Sequence, residues 1–387
     1  MLKKCVVIMV MFALVAGAAF AQLTVSGQLQ EGITLLSGTN VKDSDVIMGE
    51  GYKSDDGPYH EAKINLLFGD GTAGGRLTMN AKGSYWGWMQ WRMNQYFRVK
   101  IGTDGDGEGG FPQIVGWGFT GEAKNSVAAV NDWGGGGNAM SFRNAGLNYG
   151  GFDGASNFNL GLWVFPTDLI SVTFLFRGIT DNTDNTGEEL SKKLAKLEIF
   201  SSFKIEELGT IRFAAVGDGG LAKDAEDGTK VAHFFLAFYS NELVQGLAFE
   251  VGARYGLPYL NSDQQEPISV AAGINLTSTD PFTFKLRTNV NLGGKDKAGK
   301  DLETTQWGIG ILPSYKFPKF TVYFHAGLGM EIKASADEPV YDWFINPYIW
   351  VPMGGMRMWL GVQILDQHVV QDGQIKWNIP FGFNFYF

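Results

Sequence analysis

From Gly373 to Phe387 the chain reads GQIKWNIPFGFNFYF, and Ile375, Trp377, Ile379, Phe381, Phe383, Phe385 and Phe387 fill every odd position with a large apolar side chain. The even positions include Gln374, Lys376, Asn378, Gly382 and Asn384. A two-residue repeat places each set on its own face of a β-strand, so this stretch predicts a strand with one apolar and one polar face. The sequence ends on the aromatic Phe387 itself. The rest of the chain must decide whether that apolar face meets a protein core or lipid.

At the other end, Lys3 and Lys4 precede an apolar run from Val6 to Phe20, and Ala19-Phe20-Ala21 has the small-x-small form of a signal-peptidase site. The run falls short of the roughly 20 residues a membrane-spanning helix needs. Residues 1–21 are therefore predicted to be a secretory signal peptide, with a single domain over 22–387. Cys5 is the only cysteine, so the mature chain holds no disulfide, thiolate metal site or cysteine nucleophile. The formal net charge of −9 becomes −11 when Lys3 and Lys4 leave with the leader, which makes nucleic acid a poor partner.

Beyond the leader no apolar run is long enough for a spanning helix. A barrel can cross a membrane with near-zero mean hydropathy, because alternate residues face water. The 53 glycines and 14% aromatic residues fit that economy, with Gly easing curvature and aromatics supplying interfacial girdles.

Along the chain, Leu23, Val25, Leu29, Ile33 and Leu35 alternate with Thr24, Ser26, Gln28, Gln30 and Thr34, with Glu31 the lone charge on the apolar face. Ala62, Ile64, Leu66 and Phe68 form a second alternating set, and Leu77, Met79 and Ala81 a third after the turn at 69–74. Ser84 to Gln95 reads equally as one long strand or two short ones. Thr103 to about Met140 is a long Gly-rich loop with an apolar middle containing Trp117 and Phe119. Folding inward against a barrel wall, lying on the surface, or containing missed strands all fit it.

From Asn157 onward, tight connections (166–167, 206–208, 241–244, 277–280, 317–318 and 352–354) alternate with longer polar ones (178–190, 218–229, 257–265, 293–303, 333–339 and 366–372). Membrane barrels have this parity, because periplasmic turns are short and extracellular loops long. The segmentation gives thirteen strands after Asn157 and three to five before it. An even total is needed for closure, so the expected fold is all-β, a transmembrane antiparallel up-and-down β-barrel of 16 or 18 strands.

Catalytic motifs do not emerge. The four histidines, His60, His233, His325 and His368, form no His-Glu-x-x-His pair, and there is no nucleophile elbow or phosphate loop. His325, on a polar strand face, is the one candidate for a site built from separated strands. The run Asp104 to Gly109 imitates the start of a calcium loop, but Val115 stands where the bidentate Glu belongs. No enzyme activity, cofactor or metal is expected.

Charge divides between wall and loops. The alternation assigns Lys63, Arg76, Lys82, Arg98, Lys100, Arg177, Lys196, Lys204, Arg212, Arg254, Lys285, Arg287, Arg357 and Lys376 to the polar face, against Glu61, Glu198, Glu250, Glu331 and Asp342. An acidic chain would thus enclose a basic lumen, and rings of Lys and Arg favour anions. Neutralisation of these cations by nearby carboxylates is the opposing expectation.

The close on Phe381, Phe383, Phe385 and Phe387 resembles the C-terminal insertion signal of bacterial outer-membrane β-barrels. With the parity of its connections, the chain resembles a porin-like outer-membrane barrel of spirochaetal type. That resemblance implies residence among outer-membrane lipid and insertion by the β-barrel assembly machinery. It also implies passive diffusion of small hydrophilic solutes and assembly as a homotrimer. Long acidic loops also suit a surface adhesin or structural barrel with an occluded lumen.

Overall fold

The computed structural model describes residues 23–39, 47–48, 53–54, 57–58, 60–69, 72–80, 85–102, 159–176, 197–217, 232–257, 268–292, 305–332, 339–367 and 375–387. The expected signal peptide, the calcium-like run and the Gly-rich loop at 103–140 lie outside these residues, as do the long connections assigned from sequence, apart from a few residues at their edges.

All regular structure in the described residues is strand. The first five strands of six or more residues are β1 (Leu23–Thr39), β2 (His60–Gly69), β3 (Ala73–Asn80), β4 (Tyr85–Arg92) and β5 (Phe97–Gly102). Then come β6 (Asn159–Thr167), β7 (Ile170–Phe176), β8 (Leu197–Ile205), β9 (Gly209–Gly217), β10 (Ala232–Val244) and β11 (Leu247–Leu257). The remainder are β12 (Ile268–Thr279), β13 (Phe282–Leu292), β14 (Thr305–Lys316), β15 (Thr321–Ile332), β16 (Val340–Met353), β17 (Met356–Gly361 and Gln363–Gln367) and β18 (Ile375–Tyr386).

Twenty segments join in one sheet. One is the two-residue Ile47–Met48, which lengthens the edge of β1, and two are the halves of β17, so among the described residues the sheet has eighteen strands. Val362 interrupts β17 without releasing it, because its N–H donates to Pro347 O at 2.9 Å. Every pairing is antiparallel between chain neighbours, except the one that joins the two ends. β1 pairs with β2 from Leu23↔Phe68 to Glu31↔His60, and with β18 from Gln28↔Tyr386 to Thr39↔Lys376. Among the described strands the pairings therefore lead from β1 around the sheet to β18 and back to β1.

Ser84 to Gln95 resolves as one strand, β4, followed by a turn. Asn94 makes that turn, its Oδ1 accepting from the N–H groups of Tyr96 at 2.8 Å and Phe97 at 3.0 Å. Several tight connections fall slightly later than the sequence suggested. Thr167, Val244, Thr279 and Met353 are still strand residues, and the turns sit at 168–169, 245–246, 280–281 and 354–355. The reason is that polar residues at strand ends stay in the ladder through register shifts, as between Ser240 and Val244 and between Leu276 and Thr279. Gly354 holds its turn with φ of +64°, a conformation that side chains resist.

The two faces separate as the alternation predicts. Leu23, Leu236 and Trp91 on the outward face are more than half exposed, whereas Lys100, Thr173, Glu198 and Asn384 on the inward face are buried. Thr288, a hydroxyl on the outward face, donates to Gly308 O at 3.0 Å and so needs no water. Aromatic rings gather at the short-turn end, where Phe317 lies 4.7 Å from both Tyr315 and Phe320, and Phe385 lies 5.8 Å from Phe387. Such a belt suits a membrane interface.

Candidate functional site

The inward face is the candidate site, and register sets which of its residues meet. Lys100 stands opposite Gln90 and Gly161, and Arg98 opposite Arg92 and Trp163. Around the wall the Arg98 level continues through Trp163, Thr173, Phe200, Ala214, Phe235 and Arg254. A second level runs from Lys204 through Thr210, Tyr239, Glu250, Gly273 and Arg287 to Gly310.

The predicted cations divide into groups. Lys82, Arg177 and Lys196 lie outside the described residues. Arg254, Arg287 and Lys376 take inward register positions opposite Phe235 and Ser269, Gly273 and Gly310, and Leu365 and Thr39 respectively. Arg76 pairs with Leu67 and Trp88, Lys204 with Thr210, and Lys285 with Asn275 and Leu312.

Others lie over aromatic rings. The Arg98 guanidinium sits 4.5 Å from the Trp163 centroid and 5.7 Å from Phe165, and the Lys100 ammonium 4.1 Å from Trp88. Lys63 lies 5.8 Å from Trp86, and Arg212 lies 5.7 Å from Tyr239 and within electrostatic reach of Glu250. Arg357 bridges Trp350 at 5.3 Å and Tyr386 at 5.6 Å. The negative face of an aromatic ring attracts a cation, more strongly where water is scarce. These rings restrain the cations without cancelling their charge.

Those rings are what the sequence reading missed. Trp163, Leu175, Phe200, Ala214 and Phe235 form a buried inward cluster across β6 to β10, with Trp88, Phe165 and Ala237 against it. A second cluster on β15 to β17 packs Tyr348 and Trp359 with Tyr323 and Trp350, the rings of Tyr323 and Tyr348 stacking at 4.8 Å. Trp359 Nε1 donates to Asn384 Oδ1 at 3.4 Å. The available signal was the loss of alternation, as in Leu162-Trp163-Val164-Phe165 and Phe234-Phe235-Leu236, where both faces are apolar.

Polar groups elsewhere on the wall bond across strands. Thr78 donates to Asn65 Oδ1 at 2.8 Å, and the hydroxyls of Thr283 and Ser314 meet directly. His325 is buried opposite Asn346. Among the described residues no group of three or more His, Cys, Asp or Glu side chains could hold a metal ion.

No protein-family model matches this sequence, and no curated protein matches it. Solved structures do share its architecture. Pseudomonas aeruginosa OpdL is similar over 95% of this chain and 99% of its own, at 10% identity and a TM-score of 0.54. A BenF-like porin from Pseudomonas fluorescens Pf-5 is similar over 95% and 99%, at 9% identity and 0.54. Acinetobacter baumannii OccAB4 is similar over 95% and 98%, at 9% identity and 0.53. The chain thus has a porin-like outer-membrane β-barrel fold. These likenesses carry no information on the spirochaetal type.

Proposed function

We propose that this chain is an outer-membrane channel through which small hydrophilic solutes diffuse down their gradients, with a preference for anions. The observation that carries the reading is a ring of eighteen strands, apolar outside, whose inward register positions hold more Lys and Arg, among them Arg98, Lys100, Arg212, Lys285, Arg287 and Arg357, than the carboxylates Glu61, Glu198, Glu250, Glu331 and Asp342. A ring of that size leaves a lumen wide enough for water unless something fills it. Fixed cations along the wall then lower the barrier for an anion and raise it for a cation. In this reading charge and width do the selecting.

Residues 1–21 direct export in this reading, Phe381, Phe383, Phe385 and Phe387 are the signal for the assembly machinery, and the channel works as a homotrimer. Refolding the chain into lipid tests it. Heat-modifiable gel migration reports the barrel, and stepwise planar-bilayer conductance with anion selectivity reports the channel.

One observation favours a second reading. Lys100, Leu175 and Ala214 on the inward face have no accessible surface, as expected of an occluded barrel serving as an adhesin or structural contact. A folded barrel without conductance would select that alternative.

A further inference from the structure

The turn between β4 and β5 brings two arginines to one level of the inward wall. Arg92, the last residue of β4, is the register partner of Arg98 on β5. Asn94 fixes the turn, as does the Met93 N–H, which donates to Phe97 O at 3.0 Å. Arg92 is exposed, whereas Arg98 is half-buried with its guanidinium 4.5 Å from the Trp163 centroid and 5.7 Å from Phe165. Lys100 follows on the same face of β5, buried 4.1 Å from the Trp88 ring. Strands β3 to β6 contain no Asp or Glu. Among the described residues the acids of the short-turn end are Asp168, Glu206, Glu207 and Asp280 in the turns after β6, β8 and β12, Glu242 at the irregular end of β10, and Glu250 on β11 within reach of Arg212.

Register partners on one face of an antiparallel pair have Cβ atoms about 5 Å apart, and like charges placed so repel. An anion between the two guanidiniums turns that repulsion into attraction. A carboxylate has oxygens enough for one guanidinium fork, whereas a tetrahedral dianion offers acceptors to both. We infer that Arg92 and Arg98 bind a phosphate-type oxyanion at the short-turn mouth of the barrel, with Lys100 adding positive charge from deeper in the wall. The inward register of both arginines sets the site in the lumen, away from lipid headgroups, so its ligand is a free solute. Trp163 and Phe165 hold the Arg98 fork in place before the anion arrives, which lowers the cost of binding.

The inference deepens the anion-channel reading and rests on it for phosphate as a passing solute. The test titrates inorganic phosphate into the full chain refolded in detergent, with heat-modifiable migration reporting the barrel and calorimetry reporting binding. One saturable site is expected, from which sulfate displaces phosphate and acetate does so at least about tenfold less well. Arg92→Gln should weaken binding by about tenfold or more, and Arg92→Lys, which keeps the charge without the fork, should fall between. Lys285→Gln, on the distant strand β13, should change the affinity by less than about twofold. Arg92 is exposed, so its variants should fold even if Arg98→Gln, which strips the Trp163 face, does not. A conducting barrel without saturable phosphate binding overturns the site, as do acetate binding as tight as phosphate or an affinity unchanged in Arg92→Gln. Phosphate binding by a barrel that carries no current would keep the site and sink the channel reading alone.

Discussion

Gly27 and Phe387 exchange two backbone hydrogen bonds, the Gly27 N–H donating to Phe387 O at 2.8 Å and the Phe387 N–H to Gly27 O at 3.1 Å. A Cβ at residue 27 would collide with the Phe387 ring and with Lys63 O. The absent side chain at 27 is therefore the seat of the aromatic at 387, and together they join the first strand to the last.

Gly27→Val should weaken this seam by about 1–3 kcal/mol, the usual range for overpacking, seen as a lower urea midpoint for the heat-modifiable form. Deleting Phe387 removes both hydrogen bonds and the ring. Outer-membrane assembly should fall while export is unchanged, measured by fractionating cells that express the variant.

Cations on the wall should differ in their effect on selectivity. Lys285 is half-buried and Arg287 stands opposite two glycines, whereas Lys100 is fully buried against Trp88. The pair Lys285→Gln, Arg287→Gln should shift the reversal potential in a salt gradient toward cations, and Lys100→Gln should shift it less. Equal shifts would show that depth in the wall does not matter.

Trp163 joins the inward apolar cluster and carries the Arg98 guanidinium on its face. Trp163→Ala should cost about 3–5 kcal/mol, the range for removing a buried aromatic. Trp163→Phe keeps a ring and should recover most of it. Unfolding curves in lipid vesicles separate these outcomes.

Glu207 holds the β8–β9 turn at φ +62°, in the left-handed region. That conformation costs an ordinary side chain roughly 1–2 kcal/mol, and a β-branched one more. Glu207→Asn should raise the unfolding midpoint and Glu207→Val should lower it, with conductance unchanged in both.

Two-residue periodicity was enough to read the strands, because the face a residue takes in a strand follows from its parity alone. Ile375 to Phe385 and Ala62 to Phe68 took the faces their alternation required, and the parity of the connections led to an antiparallel barrel. Where both parities were apolar, as in Leu160 to Phe165, the pattern was silent. Trp163 was then recognisable as an inward residue only from its pairing with Arg98 and Thr173.

The sequence by itself determined strand faces and the order of strands, both of which are local properties. Only the tertiary structure decided that the count is eighteen and that Arg92 stands opposite Arg98. It alone set Lys100 over Trp88 and Gly27 as the seat of Phe387. Each of these depends on inter-strand register, which is a relation between residues far apart in the chain. A shift of one residue would move every partner to the other face.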